Sequence, residues 1–193
     1  MYEYIKGRID ELNPAYVVVE TSGMGYVIQI SLHTYSGLEG KDEATLLLHQ
    51  VVRDDAHILY GFLKRSERDL FRHLIGVSGV GANTARVILS SFDPESVESA
   101  IVQGDVELLK RIKGIGLKTA QRIVVDLKDK LGKGMPGTQL FLSEGNTKRQ
   151  EALSALVMLG YSKALAEKTL DQLLRQNPNS TAEALIKDAL KGL

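Results

Sequence analysis

Two glycine-containing segments combine residue types and spacing that suit phosphate binding. Gly79-Val80-Gly81-Ala82-Asn83-Thr84-Ala85 is followed 35 positions later by Gly114-Ile115-Gly116-Leu117-Lys118-Thr119-Ala120. Paired glycines permit a sharp turn with positive φ between two helices, and they leave the backbone open to a phosphate at close range. The N–H groups of the turn and of the following helix start are then anion donors. The pattern predicts two hairpins that bind a phosphate backbone.

Side chains near the second hairpin would add charge to these backbone donors. Lys118 and Arg122 stand four residues apart on the helix that follows, and each can make one charge-assisted phosphate contact. In the first copy Asn83 takes the place of Lys118, and Arg86 is the nearest cation. The residues predicted to contact DNA are Gly79, Val80, Gly81, Asn83, Arg86, Lys113, Gly114, Ile115, Gly116, Lys118, Thr119 and Arg122.

Each of these features also has an explanation that involves no ligand. One glycine turn can simply join two helices, and Lys118 with Arg122 can form a solvated helix face. Val80 and Ile115 are expected to point inward and anchor the turns. Two copies in matching register favour phosphate binding over a structural turn.

The segments around both hairpins have a helical pattern. Apolar residues follow a helical period from Ser66 onward, and the flanks of the hairpins match, with Leu74 corresponding to Leu109 and Val77 to Ile112. A unit present twice indicates a pseudo-symmetric pair of helical units, since a solenoid needs three or more repeats. Residues 65–132 are therefore predicted to form one helical domain.

The first part of the chain alternates as β-strands do. Residues 16–20 and 26–30 predict two strands joined by a glycine-containing turn, and 44–52 and 57–62 predict two more. About five or six short strands in residues 1–64 favour a small closed barrel of the OB-fold type, with a plain barrel that binds nothing as the alternative.

An acidic turn separates the last two predicted strands. Asp54 and Asp55 lie at this hairpin tip, where a solvated turn is the simplest explanation. A metal site with the nearby His57 is conceivable, but no third carboxylate lies close by, as a two-metal nuclease would need. No metal and no cofactor are predicted.

Residues 133–146 contain glycine and proline and predict a flexible linker that spans about 20 Å on average. Residues 147–193 carry three apolar stripes of helical period, which predict a small three-helix bundle with Thr181 as the cap of its last helix. A surplus of apolar residues suggests a partner-binding face, although all of them could be core. The residues predicted to contact a partner are Leu159, Tyr161, Leu170, Leu173 and Leu174.

Composition narrows the function further. Lys plus Arg and Asp plus Glu each number 24, so the formal net charge is zero, and any DNA contact must be local. The chain has no cysteine, which excludes disulfides and thiolate metal sites. No membrane-spanning run and no secretory signal are visible, so a cytoplasmic protein without a membrane role is predicted.

Motifs of a motor or a hydrolase are missing from the sequence. Leu117 separates Gly116 from Lys118, so this segment does not complete a nucleotide-binding Gly-Lys-Thr loop. A DNA glycosylase or lyase would need a catalytic group after the hairpin, and Asp126 is the near candidate. A single-strand binder that uses the barrel is a third hypothesis, against which the low aromatic content of 6% argues. A non-catalytic binder of DNA backbone is preferred.

The repeats look like tandem helix-hairpin-helix motifs, and the whole chain resembles the RuvA family of bacterial Holliday-junction-binding proteins. The supporting residues are Gly7-Arg8-Ile9, Arg53-Asp54-Asp55-Ala56, Leu59-Tyr60-Gly61-Phe62 and the second hairpin. Asp54 stands where the family often has Glu, and Asn83 and Leu117 stand where it commonly has Lys. The resemblance implies an α+β multidomain fold with an OB-fold β-barrel in 1–64, a tandem helix-hairpin-helix domain in 65–132, a flexible linker in 133–146 and a three-helix UBA-like module in 147–193.

The resemblance also implies how such a chain would work. RuvA proteins form homotetramers, one or two of which bind a junction, and four copies of the Asp54-Asp55 turn form an acidic pin at the centre. The pin would repel phosphates while the hairpins hold the four arms, without reading bases. By analogy the C-terminal module binds RuvB, the AAA+ ATPase that drives branch migration in recombination and DNA repair, and the RuvC resolvase is a further partner.

Overall fold

The computed structural model describes residues 2–132, 147–177 and 180–192. These residues divide into two compact units, one on each side of the segment 133–146. The predicted linker coincides with that segment and lies outside the described residues.

The first unit begins with a closed five-stranded barrel. Its strands are β1 (Tyr4–Asn13), β2 (Tyr16–Thr21), β3 (Met24–Gln29), β4 (Glu43–Arg53) and β5 (Ala56–Phe62). The strand order is β1-β2-β3-β5-β4, with β3 and β5 parallel and the other neighbours antiparallel. Alternate residues such as Val17, Val19 and Leu46 are fully buried inside the barrel, as the period of two requires. The predicted barrel is confirmed.

A short helix that the sequence pattern did not indicate lies between β3 and β4. Helix α1 (Leu32–Leu38) begins after Ser31, whose hydroxyl accepts the N–H of Thr34 at 3.0 Å. The buried carboxylate of Glu67 accepts hydrogen bonds from the hydroxyls of both residues. Tertiary contacts therefore stabilise this seven-residue helix, which is too short to be stable by itself.

Five helices complete the first unit. They are α2 (Arg65–Ile75), α3 (Ala82–Ser91), α4 (Pro94–Gln103), α5 (Val106–Lys110) and α6 (Leu117–Gly132). One glycine hairpin joins α2 to α3 and the other joins α5 to α6. The matching flanks of the repeat are buried in both copies, with Leu74 and Leu109 completely inaccessible to solvent. The predicted pair of helical units is confirmed.

A hydrophobic core between the barrel and the helices contains Tyr60 and Phe62 of β5, whereas the barrel interior forms a separate core. The ring of Phe71 on α2 lies 5.0 Å from those of Tyr60 and Phe62 on β5. Arg68, which is 1% exposed, forms an ion pair of 2.7 Å with Glu3 at the start of the barrel. This continuity holds the hairpins in a fixed place relative to the barrel.

The second unit is a three-helix bundle. Its helices are α7 (Thr147–Met158), α8 (Lys163–Gln176) and α9 (Ala182–Gly192). Its core contains Ala152, Leu153, Leu156, Ala166, Leu170, Leu185 and Ala189. The hydroxyl of Thr181 accepts the N–H of Ala184 at 3.2 Å, which confirms the predicted cap. In neither unit do the described residues include a helix long and apolar enough to cross a membrane.

Candidate nucleic-acid interface

The two glycine hairpins have the same backbone geometry. Gly79 and Gly114 both have a φ of +91°, in the left-handed region that glycine adopts without strain. Val80 and Ile115 are 4% and 5% exposed, and each donates its N–H to the carbonyl three residues earlier at 3.0 Å. The inward anchoring of these apolar residues is confirmed.

The second glycine of each pair does not have the positive φ expected from the sequence. Gly81 has a φ of −82°, and Gly116 also lies outside the left-handed region. A Cβ atom built at either position meets no protein atom within 4 Å. Neither backbone strain nor packing therefore requires glycine here, and the open space is suited to the close approach of a ligand.

Backbone donors are available where α3 begins. Gly81 caps this helix, and because it has no side chain, no cap side chain accepts the first N–H groups. Ala85 donates to the carbonyl of Gly81 at 2.9 Å, and Ala120 makes the same bond to Gly116 at 2.9 Å. Free N–H groups at a helix N-terminus attract anions through their partial positive charge.

Residues of the first hairpin and of the start of helix α6, which follows the second hairpin, line one open groove of about 410 Å³. It is lined by Ser78, Gly79, Lys118, Thr119, Gln121 and Arg122. The first repeat and the second therefore share a surface, as a common phosphate-binding face requires. Ser78 and Gln121 were not among the residues predicted to contact DNA. The repeat register aligns Ser78 with Lys113, which was predicted, and could have indicated Ser78 as well.

The cations beside the second hairpin keep their charges available. Lys113, Lys118 and Arg122 are exposed. Within residues 2–132 none of the three forms an ion pair, whereas Lys110 pairs with Glu107 at 2.9 Å. Three solvated positive charges next to free backbone donors form a local basic surface on a chain of zero net charge.

Arg86 has a different environment from the one predicted for it. Its Nη1 donates to the carbonyl oxygen of Ala15 at 2.8 Å, and its Nη2 donates to Oδ1 of Asn83 at 3.0 Å. Because both terminal nitrogens of the guanidinium already have protein acceptors, direct contact with phosphate is not the role this geometry favours. Asn83 remains exposed in the first turn of α3.

The acidic turn has the predicted place at a hairpin tip. Asp54 and Asp55 form a two-residue connection between β4 and β5, and both are exposed. Among the ion pairs of the first unit none involves either carboxylate, so their negative charges are not compensated there. The described residues contain no group of three or more potential metal ligands. Asp126 is exposed on α6 and does not line the groove.

The residues predicted to contact a partner fall into three environments. Leu159 is 60% exposed, while Tyr161, Leu173 and Leu174 are half-buried against the bundle core. Leu170 has no exposed surface and packs in the bundle core, so a direct contact with a partner is not the role that its position favours. Exposed apolar side chains that the sequence reading missed are Val157, Met158, Leu165 and Leu190.

Comparison with known proteins covers nearly the whole chain. The family model of the RuvA N-terminal domain matches residues 1–61, that of the SAM-like helix-hairpin-helix tandem matches 71–129, and that of the RuvA C-terminal domain matches 147–193. The chain is 48% identical to the Holliday junction branch migration complex subunit RuvA of Christiangramia forsetii and 45% identical to those of Flavobacterium psychrophilum and Bacteroides fragilis. Each of these matches covers the full length of both chains.

Proposed function

The chain belongs to the RuvA family, and from this premise we propose that it binds four-way DNA through the backbone amides of its two glycine hairpins. It is a subunit of a Holliday junction branch migration complex. The observation that carries the proposed mode of binding is the open space at Gly81 and Gly116. Packing within the fold does not require glycine at either position, whereas close approach of a phosphate does.

The hairpins would hold DNA without reading its sequence. Neutral N–H groups and three cations meet phosphate oxygens, which are the same at every base pair. Lys113, Lys118 and Arg122 add the salt-dependent part of the affinity. Binding of this kind suits a junction whose base sequence changes as it migrates.

The acidic turn would supply discrimination between junction and duplex. In a homotetramer four copies of Asp54 and Asp55 meet at the centre, where their charges repel a continuous duplex. The hairpins attract the arms around this centre, so the tetramer prefers DNA that is open at its crossover. One tetramer or two would bind a single junction.

The C-terminal bundle would recruit the motor. The chain is the non-catalytic subunit of the complex, and ATP hydrolysis is assigned to RuvB, which would dock on the exposed apolar residues near Leu159. The RuvC resolvase would act on the same junction, in the cytoplasm, during recombination and DNA repair.

One experiment tests this proposal as a whole. Gel mobility of the full chain is measured with a four-way junction, a duplex and a single strand of equal length, and the mass of each complex is determined. We expect the junction to bind with the highest affinity and a mass equal to one or two tetramers. Equal affinity for the three DNAs, or release of a base when the chain is incubated with a damaged duplex, would contradict the proposal.

A further inference from the structure

Hydrogen bonds of two α3 side chains attach this helix to the barrel and to helix α1. Nη1 of Arg86 donates to the carbonyl oxygens of Ala15, at 2.8 Å, and of Ile30, at 3.5 Å. Oγ of Ser90, one helical turn further, accepts the N–H of Leu32 at 3.1 Å. The two side chains therefore fix the helix that follows the first hairpin.

The barrel presents a defined acceptor site to Arg86. Ala15 lies in the connection between β1 and β2, and Ile30 directly follows β3. The carbonyl of Ala15 also accepts the N–H of Ile30 at 3.1 Å. The guanidinium is therefore a second donor to this oxygen, at a point where β1, β2 and β3 meet. A planar guanidinium can bridge several acceptors at once, which a lysine ammonium does with less directional control.

The same guanidinium also orients Asn83. Its Nη2 donates to Oδ1 of Asn83 at 3.0 Å, which leaves the two Nδ2 hydrogens of this exposed amide free to donate. Asn83 occupies the position that Lys118 has in the second repeat. The adjacent positive charge polarises the amide and makes it a better donor to an anion.

The residues of the second repeat that correspond to Arg86 and Ser90 have a different environment. Its counterparts of Arg86 and Ser90 are Gln121 and Val125, which are both exposed, and Val125 is 77% exposed. Gln121 lines the groove but is uncharged, and the groove-lining cations of that repeat, Lys118 and Arg122, lie at other positions. The pair Arg86 and Ser90 therefore belongs to the attachment of the first repeat and is not a shared phosphate-binding feature.

We propose that Arg86 is a positioning residue, which fixes α3 and the first hairpin on the barrel and turns the amide of Asn83 toward DNA phosphate. This inference rests on the proposed binding of DNA backbone by the hairpins. It replaces the expectation that Arg86 itself contacts phosphate. Arg86 thereby gives the first hairpin a side-chain donor in place of the missing lysine.

Junction binding measured at several salt concentrations distinguishes a positioning role of Arg86 from direct contact of Arg86 with phosphate. Arg86→Gln and Asn83→Ala are each expected to weaken binding of a four-way junction roughly 5- to 10-fold, with an unchanged slope of log affinity against log salt. The double variant is expected to lose about as much as Arg86→Gln alone, because the Asn83 amide contributes to binding only while Arg86 orients it. Arg86→Lys keeps the positive charge but lacks the planar guanidinium that bridges several acceptors, so it is expected to behave like Arg86→Gln.

Two outcomes would overturn the proposal. A slope that falls by about one in Arg86→Gln but not in Arg86→Lys would place the guanidinium on a phosphate. Losses that multiply in the double variant would show that Arg86 does not act through Asn83. Thermal unfolding of each variant verifies that the chain is folded.

Amide hydrogen exchange in the free protein tests the attachment without DNA. Ser90→Ala removes the acceptor of the Leu32 N–H and is expected to speed its exchange at least about 5-fold, and Arg86→Gln is expected to do the same for Ile30. Ser91→Ala is the matched control, since the Ser91 hydroxyl bonds only within α3, to Val87. Unchanged exchange at both amides would refute the attachment. If the unmodified chain shows no preference for the four-way junction over duplex, that result would instead refute the proposed function.

Discussion

Addition of one methyl group at the second glycine of each hairpin should separate DNA binding from stability. Gly81→Ala and Gly116→Ala place a Cβ where no protein atom lies within 4 Å and where φ lies outside the left-handed region. Gly79→Ala and Gly114→Ala place the same group at a φ of +91°. The first pair is expected to lose affinity for DNA, and the second pair is expected to lose stability as well.

The magnitudes follow from known costs. Alanine in place of glycine stabilises by about 0.4–1 kcal/mol through the unfolded state. A weaker helix cap at Gly81 offsets this by a similar amount, so stability should change by less than about 0.5 kcal/mol. Loss of one backbone hydrogen bond to a charged phosphate costs about 1.5–3 kcal/mol, which corresponds to a roughly 10- to 150-fold weaker complex. At Gly79 and Gly114 strain adds a stability loss of about 1–3 kcal/mol.

Chemical denaturation gives the stability and titration of a labelled four-way junction gives the affinity. Gly25→Ala is a suitable control, because it adds the same methyl on strand β3, where the nearest protein atom would lie at 3.4 Å. This control should retain wild-type affinity. Full affinity in both Gly81→Ala and Gly116→Ala would show that no phosphate approaches those backbones and would refute the reasoning.

Three further predictions concern charge. Lys118→Ala and Arg122→Ala should each lower the slope of log affinity against log salt by about one, and an unchanged slope would remove that residue from the interface. Asp54→Asn combined with Asp55→Asn should raise affinity for plain duplex in the same titration, and preserved discrimination would exclude the acidic pin. Burial raises the pKa of the Glu67 carboxyl above its ordinary value of 4.5, so wild-type stability should decline as pH rises through the raised pKa. Glu67→Gln should flatten this decline in urea unfolding at several pH values, and an equally steep decline would contradict it.

The features that sequence indicates best are local and periodic. The alternation around Val17 and Val19 identified the barrel, and the repeat identified both hairpins, because burial on one face imposes a period that can be counted. The repeat also predicted correctly that Val80 and Ile115 are buried.

Features that depend on contacts between residues far apart in the sequence could not be predicted from the sequence pattern. Helix α1 is stabilised by Glu67, which lies 33 positions from Thr34, and Arg86 bonds to Ala15 at a separation of 71 positions. A stripe of leucines in α8 does not reveal that Leu170 is the one fully enclosed by the neighbouring helices. Sequence pattern reports which face of a helix is apolar, and only the packed structure reports what covers it.

Hydrogen exchange of the hairpin amides, with and without a four-way junction, tests most directly whether these turns hold DNA. We expect segments 79–83 and 114–118 to exchange more slowly in the complex, both to a similar extent, because their free N–H groups would be bonded to phosphate. Exchange at the free rate in both segments, with protection confined to other parts of the chain, would contradict the account.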